Sequence, residues 1–167
     1  KPQDSFGDDP LRMMRGARFA SQLGFEIEPE TFAAMQDMAA SIEMISAERV
    51  QTELVKLMLG ANPRAGLEVL VDSGLAGFVL PELPALKLET DEHHHHKDVY
   101  EHTLTVVDQA ISYEKDYNLE ADFVLRFAAL LHDCGKPATR KLEPGGGVRF
   151  YHHDMVGAKL ATKRMRA

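Results

Sequence analysis

Residues 130–137 read Leu130-Leu131-His132-Asp133-Cys134-Gly135-Lys136-Pro137, at the end of an apolar stretch that begins near Ala121. The stretch from 121 to 132 is far shorter than the roughly 20 residues that cross a bilayer, so it predicts a buried helix. Gly135 and Pro137 break whatever follows it. A helix that stops at His-Asp sets an imidazole beside a carboxylate, a donor pair suited to Mg, Mn, Fe, Ni or Zn. A satisfied structural pair is the plainer reading of the same two residues. His102, thirty residues upstream in Tyr100-Glu101-His102-Thr103, lies on an earlier predicted helix over 100–111 and can converge on the same point.

Most of the chain carries helical spacing. Leu11, Met14, Ala17, Ala20 and Leu23 form one stripe that Gly24 ends, and a second helix starts at Pro29 with Glu30 in its first turn. Val50, Leu54, Leu57 and Met58 form another stripe, closed by Gly60-Ala61-Asn62-Pro63, and a shorter helix follows to about Val71. Residues 75–86, with Pro81 and Pro84, read as a connector. Residues 137–150 contain Gly145-Gly146-Gly147 and read as a loop or a small hairpin, and 154–166 is helical again. The fold class is all-α, in two parts joined near 81–96, with the division placed as 1–88 and 89–167.

Hydrophobic residues make up 44% of the 167, which excludes a disordered tail. No membrane partner is expected, because no apolar run spans a bilayer. A single cysteine, Cys134, excludes an internal disulfide and favours a reducing, cytoplasmic setting. The net charge of −7 argues mildly against a nucleic-acid binder, but it is unevenly spread. Residues 26–134 hold 21 acids against seven bases, whereas 135–167 hold eight bases against two acids. The total therefore excludes nothing about RNA. The run His93-His94-His95-His96 is internal and flanked by charges; alone, such a run binds metal adventitiously more readily than functionally.

Asp9-Pro10 is a strong helix entry, with Asp9 as cap and Pro10 in the first turn. Arg12, Arg15 and Arg18 are in the plain reading a solvated face. A second reading rests on chemistry. Asp9 at the helix entry and Arg12 one turn on offer an acceptor beside a donor. That pair matches the Watson–Crick edge of cytosine or adenine and opposes that of guanine or uracil.

The segment Asp8-Asp9-Pro10-Leu11-Arg12, with Arg15, Arg18 and Phe19 after it, resembles the nucleotide-recognition motif of class II tRNA nucleotidyltransferases. That family comprises the CCA-adding enzymes and the bacterial poly(A) polymerases. Asp8 stands where the family more often has Glu. Residues 45–54, Ile45-Ser46-Ala47-Glu48-Arg49-Val50-Gln51-Thr52-Glu53-Leu54, resemble the next family motif. The likeness implies that Asp9, Arg12 and Arg15 contact the nucleotide, and that Asp8, Arg18, Glu48, Arg49 and Glu53 support them. Surface ion pairing is the alternative for the last three.

The His102 and His132-Asp133 pattern resembles the HD phosphohydrolase domain appended to many bacterial members. The likeness implies a divalent metal on His102, His132 and Asp133, with His96, His153 and Lys136 as secondary metal or phosphate contacts. The family's distant Asp ligand has no counterpart here, since only Glu143 and Asp154 follow Asp133. The family's α/β catalytic head carries Gly-Ser and Asp-x-Asp for its magnesium ions, and neither motif occurs in this sequence. The expectation is thus a fragment of a CCA-adding enzyme: a helical neck followed by a C-terminally truncated HD domain, unable by itself to add nucleotides. Its expected partners are tRNA, CTP and ATP, with weak or absent hydrolysis at the HD site. A poly(A) polymerase, a free-standing HD phosphohydrolase and a helical interaction module are the competing readings. Metal identity and oligomeric state stay open.

Overall fold

The structure is a computed structural model that describes residues 1–88 and 99–167. His93 to His96 lie outside the described residues. Two compact units are present, Lys1–Pro81 and Glu82–Ala167. The second begins earlier than residue 89 because the short 3-10 helix Pro84–Leu88 packs on the helix at Val99–Asp116 and buries Leu86.

The first unit is helical throughout: α1 (Pro2–Asp8), α2 (Leu11–Leu23), α3 (Pro29–Met38), α4 (Ala47–Met58), α5 (Pro63–Asp72) and α6 (Leu75–Val79). The 75–86 segment is therefore more than a connector; Leu75, Ala76 and Leu80 are fully buried, and that burial holds a single turn and a half of helix. Residues 39–44, with no caps of their own, form a 3-10 turn after α3. At the core, α2 lies against α4 and α5, with Met13, Met14, Leu57, Met58, Leu67 and Leu70 fully buried. The backbones approach closely. A β-carbon on Gly66 would stand 2.8 Å from the Ala17 carbonyl oxygen and 2.8 Å from Leu57 Cγ. The Ser21 hydroxyl donates to Leu57 O at 2.6 Å, and Asn62 N donates to Ser21 O at 2.9 Å, pinning the turn after α4 onto α2.

The second unit holds α7 (Val99–Asp116), α8 (Phe123–Leu131), α9 (Lys136–Thr139), strands β1 (Arg140–Leu142) and β2 (Val148–Phe150), and α10 (His153–Arg166). The strands pair antiparallel and are the only sheet among the described residues. Asp122 caps α8, its carboxylate accepting from Val124 N at 2.8 Å and Leu125 N at 3.2 Å. Helices α7 and α8 are locked by a buried pair in which Arg126 Nη2 donates to Glu114 Oε2 at 2.6 Å and Nε to Oε1 at 3.0 Å. Helix α10 is tied back by Arg164, whose Nε and Nη2 each reach Glu82 Oε1 at 2.9 Å.

Candidate metal centre and nucleotide-binding neck

Four elements of the second unit converge on one carboxylate. His102 comes from the first turns of α7, His132 and Asp133 from the end of α8, Lys136 from the start of α9, and His153 from the start of α10. Asp133 is buried, and its Oδ2 is 3.1 Å from His132 Nε2, 3.0 Å from Lys136 Nζ and 3.7 Å from His102 Nε2. Its other oxygen, Oδ1, is 3.5 Å from His153 Nε2. The His102 and His132 rings stand edge to face, 5.4 Å between centroids.

Backbone carbonyls orient two of the rings. His132 Nδ1 is 2.7 Å from Ala129 O, and His153 Nδ1 is 3.0 Å from Phe150 O. A carbonyl only accepts, so each Nδ1 carries a proton, and Nε2 is the ring atom that faces Asp133. At that atom either a proton or a metal cation can join a ring to the carboxylate. Burial disfavours charge on both partners, yet the His132–Asp133 interaction outweighs it. The His132 imidazolium is favoured above its ordinary range, and Asp133, with Lys136 also beside it, is held at about 2. The arrangement is thus built around positive charge at the point where the donors meet.

His102, His132 and Asp133 present ligand atoms all within 4.8 Å of one another, and they are the only such group found among the described residues. Ligands at about 2.1 Å from one ion stand about 3.0–3.4 Å apart at octahedral or tetrahedral angles; His132 and Asp133 stand at 3.1 Å, and His102 is set wider, 3.7 Å from Asp133. The donor set fits a divalent cation. Lys136, a candidate metal or phosphate contact, has its ammonium 3.0 Å from Asp133 Oδ2. His96 lies outside the described residues, and Asp154 is exposed at the start of α10.

The loop after the His-Asp pair is held by a feature not singled out in the sequence. A β-carbon on Gly135 would collide with the His153 carbonyl oxygen and stand 2.6 Å from Gly157 N; Gly157 in turn is buried against Cys134 Sγ. Two glycines 22 residues apart, each beside a candidate ligand, are the signal that was available. Gly135→Ala is expected to push α10 and His153 off Asp133, costing about 1–3 kcal/mol as an overpacked contact. A thermal melt unchanged from wild type would contradict this.

In the first unit Asp9 holds the entry to α2. Its carboxylate accepts from Leu11 N at 3.2 Å, and its carbonyl accepts from Arg12 N at 3.0 Å. The same carboxylate meets Arg49 Nη2 at 3.5 Å and Arg15 Nη1 at 3.8 Å. Buried Glu53 continues the chain of charges, 2.9 Å from Arg18 Nη1 and 3.9 Å from Arg15 Nε. Asp9, Arg15, Arg18, Arg49 and Glu53 are therefore brought together. Arg12 is placed apart, its Nη1 donating to Ser5 Oγ at 2.8 Å and Ser5 O at 3.0 Å. Glu48 sits at the start of α4, its carboxyl held below the usual range by its own backbone N–H and the Ser46 hydroxyl. Asp8 is exposed at the end of α1. No helix among the described residues is long and apolar enough to cross a membrane.

Residues 24–86 match the family described as "Probable RNA and SrmB- binding site of polymerase A", and residues 99–167 match the HD domain family. The chain is 38% identical over 167 residues to the A-adding tRNA nucleotidyltransferase of Deinococcus radiodurans, covering 96% of this chain and 38% of that protein. It is 39% identical to the Multifunctional CCA protein of Actinobacillus pleuropneumoniae serotype 5b, covering 95% of this chain and 39% of that protein. It is 37% identical to the CC-adding tRNA nucleotidyltransferase of Thermus thermophilus, covering 95% of this chain and 37% of that protein. The chain thus spans about two fifths of the length of the curated relatives it matches.

Proposed function

The chain belongs to the tRNA nucleotidyltransferase and poly(A) polymerase family, as its RNA-binding region joined to an HD domain, and on that premise we propose that it selects the incoming nucleotide and engages tRNA for CCA addition, beside an HD site that hydrolyses phosphate esters.

The observation that carries the nucleotide reading is the charge network on Asp9. Arg49 and Arg15 press on its carboxylate, and buried Glu53 fixes the arginines behind it. That fixes one acceptor at a helix entry. Arg12, one turn on and exposed, supplies the donor once its guanidinium leaves Ser5. Together they accept from the amino group of cytosine or adenine and donate to the adjacent ring nitrogen. Phosphoryl transfer needs metal-holding carboxylates, and this sequence has no Asp-x-Asp to supply them.

Equilibrium dialysis of the chain against each nucleotide tests the selection. CTP and ATP are expected to bind at least about tenfold more tightly than GTP and UTP, as one good bidentate pairing is worth about 1–3 kcal/mol of discrimination. Asp9→Ala and Arg12→Ala each erase that difference. Equal binding of all four nucleotides overturns the reading. The A-adding enzyme of Deinococcus radiodurans, at 38% identity, supports a second reading, an A-adding or poly(A)-synthesising member. With a family catalytic head supplied and tRNA as acceptor, incorporation of both C and A supports CCA addition, and A alone supports the second reading.

At the HD site a divalent metal held by His102, His132 and Asp133 would polarise a phosphate and activate water, the chemistry for phosphomonoesters or 2′,3′-cyclic phosphates. The residues themselves supply the rest. Ala129 O fixes the His132 ring, Lys136 keeps Asp133 ionised, and His153 closes the opposite side of the carboxylate.

A further inference from the structure

Asp9 and Arg12 are held by different chemistry. Asp9 is gripped by charge, with Arg49 Nη2 at 3.5 Å and Arg15 Nη1 at 3.8 Å from its carboxylate. Arg12 is held by a neutral residue. Its Nη1 donates to Ser5 Oγ at 2.8 Å and to Ser5 O at 3.0 Å, so one residue of α1 supplies both acceptors. The same Ser5 carbonyl accepts from Asp9 N at 3.2 Å, the bond that closes the end of α1. Ser5 is thereby bonded to the backbone of one base-reading residue and to the side chain of the other.

Ser5 itself is fixed in place. Its neighbour Phe6 is buried, and α1 packs against α3. Ser5 therefore stays where it is when the Arg12 guanidinium moves, and a base that takes a hydrogen bond from Nη1 must first break the bond to the hydroxyl. Cytosine and adenine present an acceptor to Arg12 and bear that cost, which is the worth of one net hydrogen bond. Guanine and uracil present a donor at the same point, leave Arg12 on Ser5 and bear none of it. The Ser5 hydroxyl thus acts on the preferred nucleotides alone.

We propose that Ser5 is a positioning residue that tunes nucleotide selection: its hydroxyl restrains Arg12, and the strength of that restraint sets how far CTP and ATP bind ahead of GTP and UTP. The inference rests on the nucleotide reading above. It adds a residue that acts through Arg12 and needs no contact of its own with the nucleotide.

Equilibrium dialysis of the chain against CTP and UTP, read as the ratio of the two affinities, tests it with two opposite substitutions. Ser5→Ala removes the hydroxyl and leaves the carbonyl, and the ratio is expected to rise about threefold, within the range of one net hydrogen bond. Ser5→Asp sets a carboxylate against the guanidinium in a charge-assisted bond, and the ratio is expected to fall at least about threefold. Taking a ratio cancels any general effect of the added charge on triphosphate binding. In an Arg12→Ala background neither substitution moves the ratio. Circular dichroism melts confirm that the variants fold, and a merely structural Ser5 would shift CTP and UTP together. A ratio unchanged by both substitutions, moved the same way by both, or still moved without Arg12 overturns the proposal alone. A wild-type ratio near one overturns the nucleotide reading and the proposal with it.

Discussion

Arg126→Met destabilises the second unit by about 3–5 kcal/mol, the cost of stranding one member of a buried ion pair. Arg126 and Glu114 are among the few buried charged residues, and their side chains are 5% and 3% exposed. Removing the guanidinium leaves a buried carboxylate whose other contact is the Asp122 backbone N–H at 3.0 Å. Against a typical domain stability of about 5–15 kcal/mol, the loss moves a urea midpoint visibly. The double variant Glu114→Leu/Arg126→Met recovers most of it, because both desolvation penalties go together. A single variant within 1 kcal/mol of wild type contradicts this account of the α7–α8 contact.

The same pair gives a pH signature. The Arg126 hydrogen bond, opposed by burial, holds the Glu114 carboxyl below its usual 4.5. A carboxyl with a depressed folded-state value contributes stability that is fully present above its unfolded value and lost as pH falls through the folded one. The gap between wild type and Arg126→Met is therefore widest near neutral pH and narrows as pH falls, first as the stranded Glu114 of the variant takes up a proton and then as the paired Glu114 of wild type does. Urea titrations at a series of pH values measure it directly.

Asp133→Asn removes divalent-metal binding from the HD cluster, lowering affinity by more than about 100-fold. Even partners one step removed from a metal are worth about 10–100-fold, and Asp133 is the one carboxylate of the candidate set. The replacement keeps the side chain's size but strips the negative charge from a point shared by His132, Lys136 and His153. Lys136 then keeps a buried ammonium with no carboxylate beside it, so a fall in thermal stability accompanies the loss of metal. Binding retained within threefold of wild type would mean that the ion, if it binds, uses other groups.

The parts of this architecture legible in the sequence are those written locally. The apolar helix running into His132-Asp133 and the stripe Leu11, Met14, Ala17 and Ala20 depend on spacing of a few residues, and both are found, whereas Leu23 is exposed and Pro10, not Asp9, caps α2. His102 could be linked to His132 because ligand chemistry limits which residues can serve. What escaped is tertiary. Nothing near Glu114 announces that Arg126 will bury against it from a different helix. The turn of Arg12 toward Ser5 depends on α1, a short polar helix without a hydrophobic stripe. Lys136 read as a solvated or phosphate-facing lysine, yet packing under Phe150 folds it onto Asp133. The choice between loop and hairpin at 137–150 turned on whether Phe150 is buried, which only the surrounding helices decide.

The proposed metal centre places one divalent cation on His102, His132 and Asp133 together. Isothermal titration with Mn²⁺ tests it most directly, on a chain in which His93, His94 and His95 are replaced by alanine so that the histidine run contributes no background. One equivalent is predicted to bind, and His102→Ala or His132→Ala in that background is predicted to abolish the isotherm. An unchanged stoichiometry and affinity in the His102→Ala/His132→Ala double variant would contradict the assignment.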